Sequence, residues 1–272
     1  MRILLLDRDR ETVERFEEMF SRKPDIDLVV EPIKNNAIEL TRTQQFDCVL
    51  FDPAPKNDEM RGFIIGVRRG SAFYTPIIVM SHQVDPEEAY KAGANSFIKK
   101  PFASDDEILN KIDEIMNLRE FGTQLRDESS DFPSKDGLIS KSAFLQLYIS
   151  SLDRADRYGE ETYLTIATVN NIDQIRANHG DDIANDVCAN LKKYAMRIRR
   201  LSDIAAHTAE NQICLMLMRP ANREEPKMAI ERFTDSMSEY VELISVGEAK
   251  ANVNVKMMAV PSGHITFSKD LA

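Results

Sequence analysis

Cysteine and histidine are scarce in this sequence, and their scarcity argues against a zinc-type metal centre. The 272 residues include three cysteines and four histidines. None of them shows the close spacing that such a site requires. The cysteines lie in apolar stretches, as expected of reduced thiols in a cytosolic protein. The residues concerned are Cys48, Cys188 and Cys214, together with His82, His179, His207 and His264.

Long apolar runs and an excess of positive charge are also absent. The N-terminal stretch "MRILLLDRDR" carries an apolar run far shorter than the roughly 20 residues of a membrane-spanning helix, and too short for a signal peptide. The formal net charge of -10 argues against a broad nucleic-acid surface, because phosphate binding needs a basic face. We therefore expect a cytoplasmic protein without a membrane or nucleic-acid partner.

The first 120 residues alternate short apolar runs with amphipathic helical patterns. This alternation indicates βαβ units and a parallel sheet, and functional sites in such sheets lie beyond the carboxyl ends of the strands. The predicted strands cover residues 3–6, 27–30, 48–51, 76–80 and 96–100.

The pattern changes after a polar stretch with one proline and two glycines, which predicts a linker over residues 121–135. Helices then alternate with a strand over 163–169, a hairpin over 203–218 and a strand over 251–260. An antiparallel component of this kind indicates an α+β fold. The sequence therefore predicts one domain over residues 1–120 and another over 136–272.

Four polar side chains follow predicted strands of the first domain. Asp7 ends the first strand, Asp52 the third, Ser81 the fourth and Lys100 the fifth. Because the carboxyl ends of parallel strands share one edge of the sheet, we expect these groups to converge. Carboxylates, a hydroxyl and an ammonium together suit a phosphoryl group and a divalent ion.

The segments "ILLLDRD", "FDCVLFDP", "TPIIVMS" and "AGANSFIKKPF" resemble the receiver domain of bacterial two-component response regulators over residues 1–120. The resemblance implies a flavodoxin-like, doubly wound sheet of five parallel strands. It implies that Asp52 is the phosphoacceptor, that Ser81, Phe97 and Lys100 are switch residues, and that the Lys100–Pro101 bond is cis. It also implies a phosphorelay with a sensor histidine kinase or a phosphotransfer protein.

The same resemblance implies Mg²⁺ in the first domain, with Asp7, Asp9 and Asp52 as its ligands. The family usually has two adjacent acids after the first strand, whereas this chain has Asp7 followed by Arg8. Either Asp9 substitutes for the second acid and phosphorylation survives, or Arg8 supplies a standing positive charge and the domain no longer switches by phosphate. The sequence leaves both alternatives open.

The segments "DGLISKSAF" and "DRADRYGEETYLTIATVNNIDQIRANHGDDIANDV", with the hairpin after Asp203, resemble the GGDEF domain of diguanylate cyclases. The resemblance implies a nucleotidyl-cyclase-like α+β fold with a mixed or antiparallel sheet. The family continues into a last helix, so this domain is expected to be short at its C-terminal end. The family's active-site positions fall on Thr168, Arg176, Asn185, Ala209, Glu210, Asn211, Gln212 and Ile213.

The residues at these positions are expected to remove the catalytic chemistry. Joining two GTP molecules needs carboxylates that hold Mg²⁺, and Thr168 and Asn211 are neutral. Ala209 and Glu210 replace glycines that allow close approach to phosphate, and Glu210 adds a negative charge. We therefore expect a degenerate domain with no catalytic residue and no cyclase activity.

A second family motif is retained. Many GGDEF domains bind cyclic di-GMP at an inhibitory Arg-x-x-Asp site, and Arg200 with Asp203 matches it, while Arg232 falls where a further arginine often lies. An arginine fork can bond guanine O6 and N7, and a carboxylate can accept from the guanine N–H groups. The alternative is an ordinary ion pair at a helix end, worth about 0.2–0.5 kcal/mol.

Three functions are compatible with these patterns. The leading hypothesis is a non-enzymatic cyclic di-GMP receptor that relays its state, and that of the receiver, to a downstream protein partner. The second is a protein-interaction module that binds no nucleotide, and the third is an active diguanylate cyclase. The long helices between the domains are compatible with a homodimer.

Overall fold

The computed structural model describes residues 1–71, 74–129 and 132–272. It contains two compact units. Unit 1 comprises Met1–Arg119 and Leu152–Glu160, and unit 2 comprises Glu120–Ser151 and Glu161–Ala272. Of the predicted linker over 121–135, residues 130 and 131 lie outside the described residues. Among the described residues, no helix is both long and apolar enough to cross a bilayer.

Unit 1 is built on a five-stranded parallel sheet with the order β2-β1-β3-β4-β5. This is the flavodoxin-like order of doubly wound sheets. The α/β class predicted for the first domain is therefore confirmed. The strands are β1 (Arg2–Leu6), β2 (Asp27–Val30), β3 (Cys48–Phe51), β4 (Ile77–Ser81) and β5 (Ser96–Lys99).

Helices cover both faces of this sheet. Side chains alternate along β1, so that Leu4 and Leu6 join one apolar core while Ile3 and Leu5 join the other. Burial on both faces explains why the strands read as continuous apolar runs. The helices are α1 (Arg10–Ser21), α2 (Lys34–Thr43), α3 (Met60–Gly70), α4 (Pro86–Ala92) and α5 (Asp105–Arg126), with a 3₁₀ turn at Asn57–Glu59. The C-terminal part of α6 (Lys141–Tyr158) also belongs to unit 1.

Unit 2 contains a second five-stranded sheet, antiparallel throughout, with the order β10-β9-β6-β8-β7. The α+β class predicted for the second domain is confirmed. The strands are β6 (Thr162–Val169), β7 (Ile204–Ala209), β8 (Gln212–Met218), β9 (Val253–Val260) and β10 (Ile265–Leu271). The further helices are α7 (Ile172–His179), α8 (Asp181–Ile198) and α9 (Glu225–Ile244).

Strand β10 is an element that the sequence patterns did not predict. It pairs with β9 at the edge of the sheet, and its register shifts between Ile265 and Phe267. Most of its side chains are at least partly exposed, including Ser268, Lys269 and Asp270. An edge strand with so little apolar character resembles a polar loop in sequence, because its pairing depends on the neighbouring strand.

Candidate functional site

The most buried charged cluster of unit 1 lies at the carboxyl edge of the parallel sheet. Asp7 follows β1, Asp52 follows β3, and Lys100 follows β5. The Lys100 Nζ lies 2.5 Å from Oδ2 of Asp7 and 2.5 Å from Oδ2 of Asp52. The Lys100 and Asp7 side chains are 2% exposed and that of Asp52 is 9% exposed. The structure thus brings these three predicted site residues into direct contact.

Burial and ion pairing shift the pKa values of Asp7 and Lys100 in opposite directions. Burial raises the pKa of the Asp7 carboxyl and outweighs the hydrogen bond from Lys100, which lowers it. Burial is also the largest influence on Lys100 and lowers its pKa, but the hydrogen bonds to Asp52 and Asp7 together raise it above the ordinary lysine value. The ammonium is therefore held charged between two carboxyls.

Backbone N–H groups hold the other polar atoms of this edge. Asp52 Oδ1 accepts a hydrogen bond from the N–H of Ala54 at 2.9 Å. The buried Ser81 hydroxyl accepts from the N–H groups of Gln83 and Val84, at 3.1 and 3.2 Å. Ser81 thus lies at the carboxyl end of β4, while its oxygen is engaged by the loop that follows.

Phe97 occupies a different place from the polar cluster. It lies on β5 and is buried within the apolar core that also contains Phe63 and Val79. The structure therefore places this predicted switch residue in the core. The Lys100–Pro101 peptide bond is cis, which confirms that prediction.

The side chains of Asp9 and Arg8 have hydrogen-bond partners other than Asp52. The Asp9 carboxylate caps α1, because it accepts from the Thr12 hydroxyl at 2.7 Å and from the Glu11 N–H at 3.3 Å. The hydrogen bond from Thr12 is the main cause of a lowered Asp9 pKa. The Arg8 Nε donates to the Pro32 carbonyl oxygen at 3.3 Å. The positive charge in direct contact with Asp52 is that of Lys100.

The residues of this edge, as arranged, do not form a magnesium site. Asp7 and Asp52 offer the carboxylate oxygens that Mg²⁺ prefers, but the Lys100 ammonium lies between them and Asp9 caps a helix. Within the described ranges, no group of three His, Cys, Asp or Glu side chains is placed to hold a metal ion. Magnesium at Asp7, Asp9 and Asp52 stays a prediction.

A cavity of about 240 Å³ opens beside the cluster. Thr12, Arg15, His82, Lys100 and Phe102 are among its lining residues. The Arg15 guanidinium lies over the Phe102 ring, 5.2 Å from its centre. The cavity borders the Lys100 side of the cluster.

In unit 2, residues 209–213 include the turn of the β7–β8 hairpin. Ala209 pairs with Gln212 across the turn, and Glu210 and Asn211 lie at its tip. Ile213 is fully buried in the core. The five residues therefore form an ordinary tight hairpin.

Side chains next to this hairpin turn are hydrogen-bonded to one another or to the backbone. Gln212 Nε2 donates to the Thr168 hydroxyl at 3.2 Å, and Gln212 Oε1 accepts from the Thr208 hydroxyl at 2.8 Å. Asn211 Nδ2 donates to the Val169 carbonyl oxygen at 2.8 Å. Their polar groups are thus engaged within the protein.

Arg176, at one of the family's active-site positions named above, is surrounded by carboxylates. Its guanidinium lies 2.5 Å from Glu210, 3.1 Å from Asp181 and 3.2 Å from Asp173. The hydrogen bond to Glu210 is the main cause of a raised Arg176 pKa. Asn185, at another of these positions, is exposed on α8. An ion-pair network on the surface of unit 2 therefore engages the Arg176 guanidinium.

The Arg-x-x-Asp motif forms the turn between α8 and β7. The Asp203 carboxylate accepts from the Arg200 backbone N–H at 3.1 Å, and the Arg200 guanidinium lies 3.2 Å from the Glu225 carboxylate on α9. Arg199 steadies the turn by donating to the carbonyl oxygens of Arg200 and Asp203. Arg232 is exposed on α9, two helical turns beyond Glu225.

Two residues of these sites were missed by sequence reasoning. The Thr12 hydroxyl donates to the Asp9 carboxylate. The sequence contains a signal for this bond, because Asp9 and Thr12 are three residues apart at the start of a helix, which is the spacing of a capping box. Glu225 binds Arg200 across 25 residues of chain, and no local pattern indicates that pairing.

No protein-family model and no curated protein matches the chain. Among solved structures, it is similar to the receiver domain of the Francisella response regulator 1452, at 24% identity and a TM-score of 0.37, over 42% of this chain and 95% of that one. It is also similar to the receiver domain of the sensor histidine kinase PA1611 from Pseudomonas aeruginosa. The identity is 21% and the TM-score 0.38, over 42% of this chain and 96% of that one.

A further likeness is to the GGDEF domain of DgcB from Caulobacter crescentus in complex with c-di-GMP. The identity is 12% and the TM-score 0.37, over 46% of this chain and 74% of that one. Each match covers less than half of this chain at low identity. The fold is therefore established by the strand orders of the two sheets, and the function is inferred from the chain's own side chains.

Proposed function

We propose that this chain is a two-component signalling protein in which unit 1 accepts a phosphoryl group on Asp52 and unit 2 binds cyclic di-GMP without catalysis. The observation that carries the proposal is the buried Lys100 ammonium held between Asp7 and Asp52 at the carboxyl edge of a parallel sheet. A carboxylate nucleophile beside a fixed positive charge suits the transfer of a phosphoryl group. The donor is a histidine kinase or a phosphotransfer protein.

The chemistry at Asp52 needs only a bond exchange at phosphorus. An oxygen of Asp52 forms the new O–P bond while the bond from phosphorus to the donor nitrogen breaks. The Ala54 N–H orients the Asp52 carboxylate, and the Lys100 ammonium offsets the charge of the transferred group. The Ser81 hydroxyl lies at the neighbouring strand end and would bond a phosphoryl oxygen after its loop moves.

In unit 2, Arg200 and Asp203 are the groups proposed to hold a guanine, and Arg232 adds a further cation. The Arg200 side chain is 29% exposed, and Glu225 engages one of its terminal nitrogens, so other N–H donors remain for guanine O6 and N7. Asp203 accepts a backbone N–H on one carboxylate oxygen, and its other oxygen can accept from guanine. A downstream protein partner would bind the form of unit 2 that holds cyclic di-GMP.

Replacing Arg200 with alanine is expected to weaken cyclic di-GMP binding by about 5- to 150-fold, since a bidentate arginine–guanine contact is worth about 1–3 kcal/mol. Isothermal titration calorimetry of the full chain with cyclic di-GMP measures the change. Arg223→Ala is the matched control, because it removes an exposed positive charge of the same unit outside the turn.

Glu225→Gln extends this test. It removes the charge that pairs with Arg200 and keeps the arginine, so binding should be retained or become tighter. An unchanged dissociation constant in Arg200→Ala, or equal losses in Arg200→Ala and Arg223→Ala, would contradict the proposed site.

A protein-interaction module that binds no nucleotide is the second candidate. It is favoured by the partners that the motif already has, since Asp203 accepts from the Arg200 backbone N–H and the Arg200 guanidinium pairs with Glu225. It is also favoured by apolar side chains on the surface of unit 2: Leu201 is 96% exposed and Met228 is 61% exposed. Wild-type protein that gives no heat with cyclic di-GMP at micromolar concentration would select this candidate.

Incubation with GTP and Mg²⁺ is expected to yield no cyclic dinucleotide. Thr168, Asn211 and Gln212 supply no carboxylate for a metal, and their polar atoms bond one another or the backbone. Chromatography of the nucleotides after prolonged incubation detects any product. Formation of cyclic di-GMP above a protein-free blank would restore the third hypothesis, that of an active cyclase.

A further inference from the structure

We propose that Leu152–Glu160 forms a releasable strap on unit 1, fastened by Asp156. This segment, called the strap below, packs with Met1–Arg119 although it follows that part of unit 1 by more than 30 residues in the chain. The proposal is independent of the chemistry at Asp52 and of cyclic di-GMP.

The strap is held by a mostly buried ion pair. Asp156 Oδ2 lies 3.0 Å from the Arg68 Nε of α3, and Asp156 Oδ1 accepts from the Tyr74 hydroxyl at 3.2 Å. The side chains of Arg68 and Asp156 are 12% and 19% exposed. Charge-assisted hydrogen bonds of this kind are stronger than neutral ones, and shielding from water strengthens them further.

Arg68, Tyr74, Gly93 and Asn95 of unit 1 form a socket around the Asp156 carboxylate, and they contact one another independently of it. Arg68 Nη2 donates to Asn95 Oδ1 at 2.6 Å and to the Gly93 carbonyl oxygen at 3.2 Å. The Arg68 guanidinium also stacks over the Tyr74 ring, 3.9 Å from its centre, and Asn95 Nδ2 donates to the Tyr74 hydroxyl. The socket can therefore keep its shape when Asp156 leaves.

Apolar burial and the bonds to Asp156 both hold the strap. Leu152 and Ala155 are buried, whereas Tyr158 is exposed and Asp153 pairs with Arg157 on the solvent side. Burying a leucine side chain stabilises the closed strap, but by itself it holds a short segment only weakly. The bonds to the Asp156 carboxylate contribute a comparable amount, so their loss should let the strap open more often while the rest of unit 1 stays folded.

Hydrogen–deuterium exchange of the full chain tests the strap. Asp156→Ala is expected to increase amide exchange within Leu152–Glu160 on the order of 10- to 100-fold, because it removes two hydrogen bonds from a charged acceptor. Amides of α1 should exchange as in the wild type. Asp153→Ala is the matched control, since it makes the same substitution in the same helix and should leave the strap closed.

Equal exchange in Asp156→Ala and Asp153→Ala would overturn the proposal. A uniform rise across all of unit 1 would also overturn it, because the contact would then support the whole fold rather than a strap. If Asp156→Ala does not fold, Asp156→Asn is used instead, since it keeps the side-chain shape and removes the negative charge that pairs with Arg68. A severalfold rise confined to the strap is expected, and an unchanged strap would contradict the inference.

Discussion

Replacing Lys100 with methionine is expected to lower the free energy of unfolding by about 3–5 kcal/mol, the range found when one partner of a buried ion pair is removed. The substitution leaves the carboxyls of Asp7 and Asp52 facing each other without a cation, in a region where all three side chains are nearly inaccessible. Methionine preserves most of the side-chain volume, so the loss reports charge rather than a cavity. Urea unfolding followed by circular dichroism measures it.

Lys99→Met is the matched control for this experiment. Lys99 is exposed on the same strand, one residue before Lys100, and its replacement should change stability by less than about 0.5 kcal/mol. Adding Asp7→Asn to Lys100→Met should recover part of the loss, because one of the unpaired carboxylates is removed. Equal stabilities of Lys99→Met and Lys100→Met would show that the buried cluster does not stabilise the fold.

The pH dependence of the same variant gives a second readout. The pKa of Lys100 is raised in the folded protein, so its contribution is fully present below the unfolded value of 10.5 and is lost as pH rises through the folded value. The wild type should therefore lose this increment of stability above about pH 10.5. Lys100→Met should lack that increment, whereas Lys99→Met should retain it.

Replacing Asp52 with asparagine is expected to reduce phosphoryl uptake by at least about 100-fold, because an amide oxygen is a poor nucleophile. Asparagine keeps the side-chain shape and an oxygen that can accept from the Ala54 N–H, and Lys100 keeps Asp7 as a partner. Intact-protein mass spectrometry after incubation with phosphoramidate, a small donor with a phosphorus–nitrogen bond, counts the groups transferred.

Asp58→Asn is the control for phosphoryl uptake, since Asp58 is an exposed acid in the loop after β3. Uptake by the wild type and Asp58→Asn, with none by Asp52→Asn, is the expected outcome. Equal uptake in Asp52→Asn would move the acceptor to another residue. A wild-type protein that takes up no phosphoryl group, with or without Mg²⁺, would contradict a phosphoacceptor role for unit 1.

The local patterns of the chain determined the elements and the edge on which the polar residues lie. Strands buried on both faces must be apolar throughout, so their positions in unit 1 could be read directly from the sequence. Parallel strands present their carboxyl ends at one edge, which is why Asp7, Asp52 and Lys100 could be expected together. Strand β10 escaped prediction because it lies at the sheet edge and its apolar residues Ile265, Phe267 and Leu271 are interrupted by polar ones, so it lacks a continuous apolar run.

The partner of each charged group was decided by tertiary structure alone. The sequence left Arg8 and Asp9 as alternatives near Asp52, but Arg8 bonds the Pro32 carbonyl and Asp9 caps α1. Arg200 pairs with Glu225 on another helix, and Arg68 with Asp156, 88 residues away. Periodicity in a sequence reports which face of an element is buried. Which opposite charges meet depends on how those faces pack, and distances of a few ångströms between remote residues arise only from that packing.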